Sequence, residues 1–245
     1  MLKKRLKSLI RKLMIYKKGC DKVNIKLFLK SITRYILGLI SVGFLLFFPA
    51  NTFNYWNAWL FIGILFIPMF IVGIILLFKN PMLLKNRLDV KESEKEQKKL
   101  ILYSGLMFIL GFIISGLNYR YKWIMLPNTV VIIASLLFVI SYILYAEVLR
   151  ENTYLSRTIK VEKKQEVVDT GLYGLVRHPM YSITIVLFLT IPLVLGSIIS
   201  FVIFLIYPFI ISRRIINEEK VLEKELKGYK EYKKKVKYRL IPFIW

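Results

Sequence analysis

Long uncharged apolar runs alternate along this chain with short, densely basic segments, a pattern that a water-soluble core cannot absorb. Four runs approach or reach the roughly 20 residues that a helix rising about 1.5 Å per residue needs to cross a hydrocarbon layer about 30 Å thick. They are Tyr35 to Ala50, Trp56 to Phe78, Leu100 to Leu117 and Trp123 to Ala146. A further stretch, Met180 to Ile211, is too long for one ordinary span and is broken by Gly196-Ser197, so it reads as a hairpin of two short spans. The expected fold class is all-α, a polytopic transmembrane helical bundle of about six spans, because a helix satisfies its backbone groups within its own segment.

The charges test that count. The 245 residues include 38 Lys and Arg against 15 Asp and Glu, a net charge of +23. Basic residues collect in cytoplasmic loops. With six spans and the N-terminus inside, the inner segments 1–34, 79–99, 150–177 and 213–239 hold 36 of the 38, and the outer connections hold only Arg120 and Lys122. An odd number of spans would destroy this agreement, so both termini are expected to be cytoplasmic. The charge then serves topology and the anionic inner leaflet of the lipid bilayer, and no nucleic-acid partner is needed to explain it. The many Lys and Ile residues fit an AT-rich bacterial coding sequence and hence a bacterial plasma membrane. The single cysteine, Cys20, cannot form an internal disulfide, and the single histidine, His178, rules out a multi-histidine metal site.

The chain divides into three regions. Residues 1–34 form a basic cytoplasmic segment in which Leu2, Leu6, Leu9, Ile10 and Leu13 recur at helical spacing; a merely disordered basic tail is the open alternative. Residues 35–149 hold four spans with the charged inner loop 79–99, and residues 150–245 hold the chemistry, the helical hairpin 180–211 and a C-terminal amphipathic helix. Phe53, Tyr55 and Trp56, then Tyr119, Tyr121 and Trp123, stand where aromatic anchors at the membrane interface are expected.

In the third region, Asp169-Thr-Gly171-Leu-Tyr173-Gly174-Leu-Val-Arg177-His178-Pro179-Met180-Tyr181 runs straight into the hairpin. Glycines 171 and 174 permit positive φ or close backbone approach, and Pro179 suits a first helical turn. Arg177 and His178 then sit at a helix N-terminus, whose unpaired N–H groups favour an anion. After the hairpin, Ile215, Leu222 and Leu226 form an apolar stripe, with Glu218 on it rather than opposite. A carboxylate there needs a cationic partner, and Arg214, four residues earlier, is a candidate. Lipid phosphate at Arg177 and an ordinary surface ion pair at Arg214 are the plainer alternatives.

Taken in order, the Gly171-Leu-Tyr173 turn, the RHPMY run at 177–181, the apolar hairpin, Glu218-Glu219, Gly228-Tyr229-x-x-Tyr232 and Arg239-Leu-Ile-Pro242 resemble the isoprenylcysteine carboxyl methyltransferase family. Related phospholipid N-methyltransferases share the RHPxY, apolar span and Glu-Glu arrangement. The resemblance covers about Asn152 to Phe243 and implies methyl transfer from S-adenosylmethionine to a lipophilic acceptor. It implies a cofactor pocket from Gln165, Glu166, Val167 and Val168, from Tyr173, and from His178, Pro179, Met180 and Tyr181; Arg177 at the helix N-terminus adds, on physical grounds, a cationic donor for the cofactor's carboxylate. It also implies an acid holding the cofactor's methionine part, Glu218 or Glu219, and an arginine near the acceptor, Arg214 or Arg213; Arg214 and Glu218 are the catalytic candidates. The sequence departs from the pattern at Ser182-Ile183, where a glycine often follows, and at Gln165, where some members have histidine.

Physical chemistry asks for the same residue types. The cofactor's ammonium needs an acid, its carboxylate needs cationic or N–H donors, and its sulfonium suits aromatic walls. A carboxylate acceptor is already nucleophilic, whereas an amine must lose a proton and His178 is the only histidine, which favours carboxyl O-methylation. The competing readings are a phospholipid N-methyltransferase, an NADPH-dependent membrane reductase of the sterol type, and a non-enzymatic lipid-binding scaffold.

Overall fold

A computed structural model describes residues 25–89, 92, 95–159, 161 and 165–245. The basic segment before residue 25, with Cys20, lies outside the described residues. The described chain is helical, and no strand occurs in it. In order, the helices are α1 (Ile25–Ala50), α2 (Trp56–Lys79), α3 (Pro81–Arg87), α4 (Lys95–Tyr121), α5 (Asn128–Glu151), α6 (Pro179–Val194), α7 (Ile198–Phe204), α8 (Tyr207–Glu225) and α9 (Tyr229–Lys235), with a 3-10 turn at Gly171–Gly174 before α6.

Among the described residues, five helical stretches are long and apolar enough to cross a membrane: α1, α2, α4, α5 and the run Ile198–Glu225 that joins α7 to α8; α6 is a sixth, shorter apolar helix. Phe44 and Phe48 of α1, Ile71 and Phe78 of α2, and Ile133 and Ile143 of α5 stand exposed, as expected of a lipid-facing belt. The core between the helices is aromatic and aliphatic, with Tyr55, Phe61, Phe138 and Phe204 fully buried. α5 packs along α6, α1 packs against α4, and α4 packs against α7. Where α4 meets α7, Ser115 Oγ donates to Ser200 Oγ (2.9 Å) and Ser200 Oγ to the Gly111 carbonyl (2.9 Å), polar links of the kind that join helices in lipid.

The turn at 195–197 matches the break read from sequence. The Ser197 N–H reaches back to the Pro192 carbonyl (2.9 Å) and the Gly196 N–H to that of Leu193 (3.1 Å), with Gly196 at φ +74°, a left-handed helix ending. The remaining carbonyls at this end are served from outside the hairpin. Tyr55 Oη donates to Leu195 O (2.6 Å) and Asn57 Nδ2 to Val194 O (3.1 Å). Tyr55 is therefore no interface anchor; it is fully buried and stacked on Tyr119 at 4.2 Å, because unsatisfied helix-end carbonyls draw its hydroxyl inward. Phe53, Trp56, Tyr121 and Trp123 are exposed, as an anchoring role requires.

On the opposite end of the bundle, the Asn80 side chain caps α3 by accepting from the Leu83 N–H (3.1 Å), with Pro81 at the first helical position. The amphipathic helix expected after the hairpin is not a separate element. It continues the last span through α8, since nothing between Tyr207 and Glu225 breaks the helical ladder.

Candidate active site

The RHPMY turn is held by a segment far away in sequence. The backbone N–H groups of Arg177 and His178 donate to the carbonyls of Tyr238 and Arg239, both at 2.9 Å, and Ser182 Oγ donates to Leu240 O at 2.6 Å. The helix N-terminus expected to offer those two N–H groups to an anion has thus given them to the C-terminal segment. Ser182, one of the departures from the family pattern, serves the same clasp.

Beneath it lies a buried ion cluster centred on Glu219. One oxygen of that carboxylate accepts from Arg177 Nε (2.7 Å) and lies 3.4 Å from His178 Nε2; the other accepts from Arg239 Nε (3.0 Å), with Lys233 Nζ at 3.9 Å. Arg177 also donates from Nη1 to the carbonyls of Val236 (2.8 Å) and Lys237 (2.7 Å). The cluster ties α6, α8 and the C-terminal segment together and leaves Glu219 outside the adjoining cleft.

Glu218 faces the other way, because consecutive residues on a helix point about 100° apart. Its Oε2 accepts from the Tyr181 hydroxyl (2.5 Å), which in turn accepts from Arg214 Nε (2.9 Å), while Arg214 Nη2 donates to Arg157 O (2.7 Å). The direct ion pair between Arg214 and Glu218 expected from their spacing is replaced by this chain, with the Tyr181 hydroxyl inserted between the charges.

These residues open onto a cleft of about 810 Å³, its open mouth included. Gln165, Glu166, Val167, Val168, Tyr173, Arg177, His178, Met180, Tyr181, Arg214 and Glu218 all line it. Pro179, Arg213 and Glu219 do not: Pro179 starts α6, Arg213 is exposed on α8, and Glu219 is committed to its cluster. Gly171 sits at φ +50° and a Cβ there would come within 2.1 Å of Glu151 Oε1, so positive φ and close approach are both in use. The same carboxylate accepts from Thr170 Oγ1 (3.0 Å) and the Leu172 N–H (3.3 Å), fixing the turn against the end of α5.

Sequence reading missed the wall formed by Asn152, Tyr154, Leu155, Ser156, Thr158 and Ile159 and by Leu222, Leu226, Tyr229 and Tyr232. The signal for the tyrosines was present, since Tyr229-x-x-Tyr232 puts both rings on one face of α9. Tyr232 Oη donates to Tyr173 O (2.8 Å). The Tyr229 hydroxyl is buried without a partner, and burial pushes its pKa up, so it stays protonated.

Residues 128–228 match the phospholipid methyltransferase family model. The segment begins with the first residue of α5 and carries the RHPMY turn, Arg214 and Glu218. This is a methyltransferase segment. The bundle around it has the fold of a solved methyltransferase: the eukaryotic intramembrane Ras methyltransferase, isoprenylcysteine carboxyl methyltransferase, aligns with a TM-score of 0.52 at 17% identity over 96% of this chain and 86% of that one. No curated protein sequence matches. The chain is accordingly an integral, multi-pass membrane protein that carries a methyltransferase-family segment, with its cleft at the RHPMY turn between α6, α8 and α9.

Proposed function

We propose that this methyltransferase uses S-adenosylmethionine and methylates a lipophilic acceptor, by carboxyl O-methylation rather than at an amine. The observation that carries the reading is the pairing, in one cleft, of a carboxylate with an open oxygen and a buried hydroxyl without a partner. Among the described residues Glu218 Oε1 has no hydrogen bond, and neither has Tyr229 Oη. An ammonium-bearing ligand with further polar groups fits both.

Around them, Gln165 to Val168 run outside any helix, and among the described residues the N–H groups of Glu166 to Val168 make no backbone hydrogen bond. Tyr173 and Tyr181 supply aromatic surface suited to a sulfonium. The bound cofactor supplies an electrophilic methyl group. Glu218 holds its ammonium and Tyr181 fixes the Glu218 carboxylate. Two arginines line the cleft, Arg177 and Arg214; Arg177 is committed to Glu219, so Arg214, held through both Tyr181 and Arg157, is the one placed to orient an anionic acceptor. Arg177 and Glu219 frame the site rather than contact ligand.

Transfer of this kind depends on aligned reactants in a site that excludes water. No proton need be removed from a carboxylate. An amine would need a base, and His178 Nε2 faces Glu219 at 3.4 Å, which is why O-methylation is favoured. The test is calorimetric titration of the purified protein with S-adenosylmethionine and its demethylated product. Glu218→Gln should weaken both by roughly tenfold or more, the scale of one charge-assisted hydrogen bond. Binding of NADPH with no binding of either ligand would sink the proposal.

A further inference from the structure

The segment that clasps the RHPMY turn folds into a tight knuckle. The carbonyl oxygen of Trp245 accepts from the N–H groups of Arg239 (2.8 Å), Leu240 (2.9 Å) and Ile241 (3.2 Å), and the Ile241 carbonyl accepts from those of Ile244 and Trp245, both at 3.2 Å. The Arg239 guanidinium lies over the Trp245 ring at 5.0 Å while its Nε bonds Glu219. Leu240 is buried in the core cluster that holds Tyr181, Ile211 and Ile215, and Trp245 packs against that cluster. The knuckle therefore stands beside the first turn of α6, near the point on α8 where Arg213 and Arg214 end the apolar run.

Its tip is apolar and turned outward. Phe243 is 87% exposed, Ile244 75% and Ile241 51%. Phe243 also holds φ +67°, a left-handed conformation that is rare for a bulky residue and persists only where the surrounding structure enforces it. The ring contact between Tyr238 and Phe243, at 5.3 Å, brings Lys237 beside the tip. Lys234 and Lys237 are exposed and, among the described residues, form no ion pair, whereas Lys233 and Lys235 are paired with Glu223 and Asp169.

An apolar tip at the end of a membrane bundle, flanked by unpaired lysines, complements the boundary between headgroups and acyl chains in an anionic leaflet, with hydrocarbon for the tip and phosphate for the lysines. We propose that Ile241, Phe243 and Ile244 form a lipid-docking surface seated in that boundary, with Lys234 and Lys237 on anionic headgroups. Docked there, the residues that clasp Arg177 and His178 are fixed relative to the membrane plane, and the cleft they frame is fixed with them. The docking rests on the membrane reading of the chain and not on the methyltransferase one.

The test uses nanodiscs that hold one copy each. A Cys20→Ser background carries one new cysteine labelled with bimane, either Ile244→Cys at the tip or Lys224→Cys as the control. Lys224 is exposed in the last turn of α8, about 15 Å along the helix from Arg214. Phosphatidylglycerol brominated near the head of its acyl chains should quench the tip label roughly threefold more than the control, and acrylamide in the water should do the reverse. Exchanging it for phosphatidylcholine brominated at the same place, or combining Lys234→Gln with Lys237→Gln, should cut the tip quenching roughly twofold.

Melting temperatures matching that of the unlabelled protein show that the variants fold. A tip label that acrylamide reaches as freely as the control would overturn the proposal, and so would one shielded from both quenchers, the pattern of a contact with another protein. Tip quenching indifferent to lipid charge and to the lysines would overturn the anionic assignment. Protein that shows the expected pattern but binds no cofactor would overturn the methyltransferase reading and leave this surface standing.

Discussion

Glu218 and Glu219 are adjacent in sequence and opposite in circumstance. One faces a cleft with an oxygen open; the other is 3% exposed and surrounded by Arg177, His178, Arg239 and Lys233. Helical geometry alone separates them, and it makes their variants distinguishable. Glu219→Gln leaves buried cationic groups uncompensated and should cost about 3 kcal/mol of stability, read as a lower melting temperature with or without ligand. Glu218→Gln should leave the melting temperature of the free protein nearly unchanged. Tyr229→Phe removes a buried hydroxyl that has no partner, so the free protein should melt at the same or a slightly higher temperature. Cofactor affinity should nevertheless fall by roughly fivefold, the scale of a neutral hydrogen bond. A drop in both quantities would show the hydroxyl to be structural.

At the scale of elements, the hairpin is the part most legible from the chain. The apolar run was too long for one span and carried Gly-Ser near its middle, and the turn forms there with Gly196 in the left-handed region. Gly196→Ala should destabilise by about 1–2 kcal/mol, more if the new Cβ, 3.2 Å from Asn57 Nδ2, dislodges that side chain from Val194 O. Thermal unfolding in detergent reads this, and a neutral result would mean that the turn relaxes. The amphipathic helix after the hairpin was legible in its periodicity but not in its continuity. Its stripe divides by depth: Ile215 is fully buried in the bundle, whereas Leu222 and Leu226 line the cleft. Periodicity gives a face, and only the neighbours decide what the face meets.

Across the whole molecule, the basic residues set an orientation that chemistry can probe. The basic residues predict that both termini lie on the cytoplasmic side, and Cys20, the single cysteine, is a native reporter for that prediction. A membrane-impermeant maleimide should label it in permeabilised cells and not in intact ones; labelling of intact cells would reverse the topology. That orientation would open the cleft toward the cytoplasm, the source of a soluble cofactor.

What the amino-acid order determined by itself was local: which segments are apolar for long enough to span, where the long apolar run must turn, and which residues share a helical face. Arg177, His178, Arg214 and Glu218 were legible because their spacing already puts them at a helix terminus or on a stripe, whereas Tyr173 was legible only through the family resemblance of its Gly171-Leu-Tyr173 turn. Tertiary structure alone decided the rest. The clasp of Tyr238 and Arg239 on Arg177 and His178, the burial of Tyr55 against Leu195, and the anchoring of Arg34 on Leu88 and of Arg87 on Ser156 join residues at least about fifty positions apart. Such contacts have no period in the sequence. They follow from buried helix ends and charges that must find partners once water is excluded, and only the packed bundle determines which partners are near.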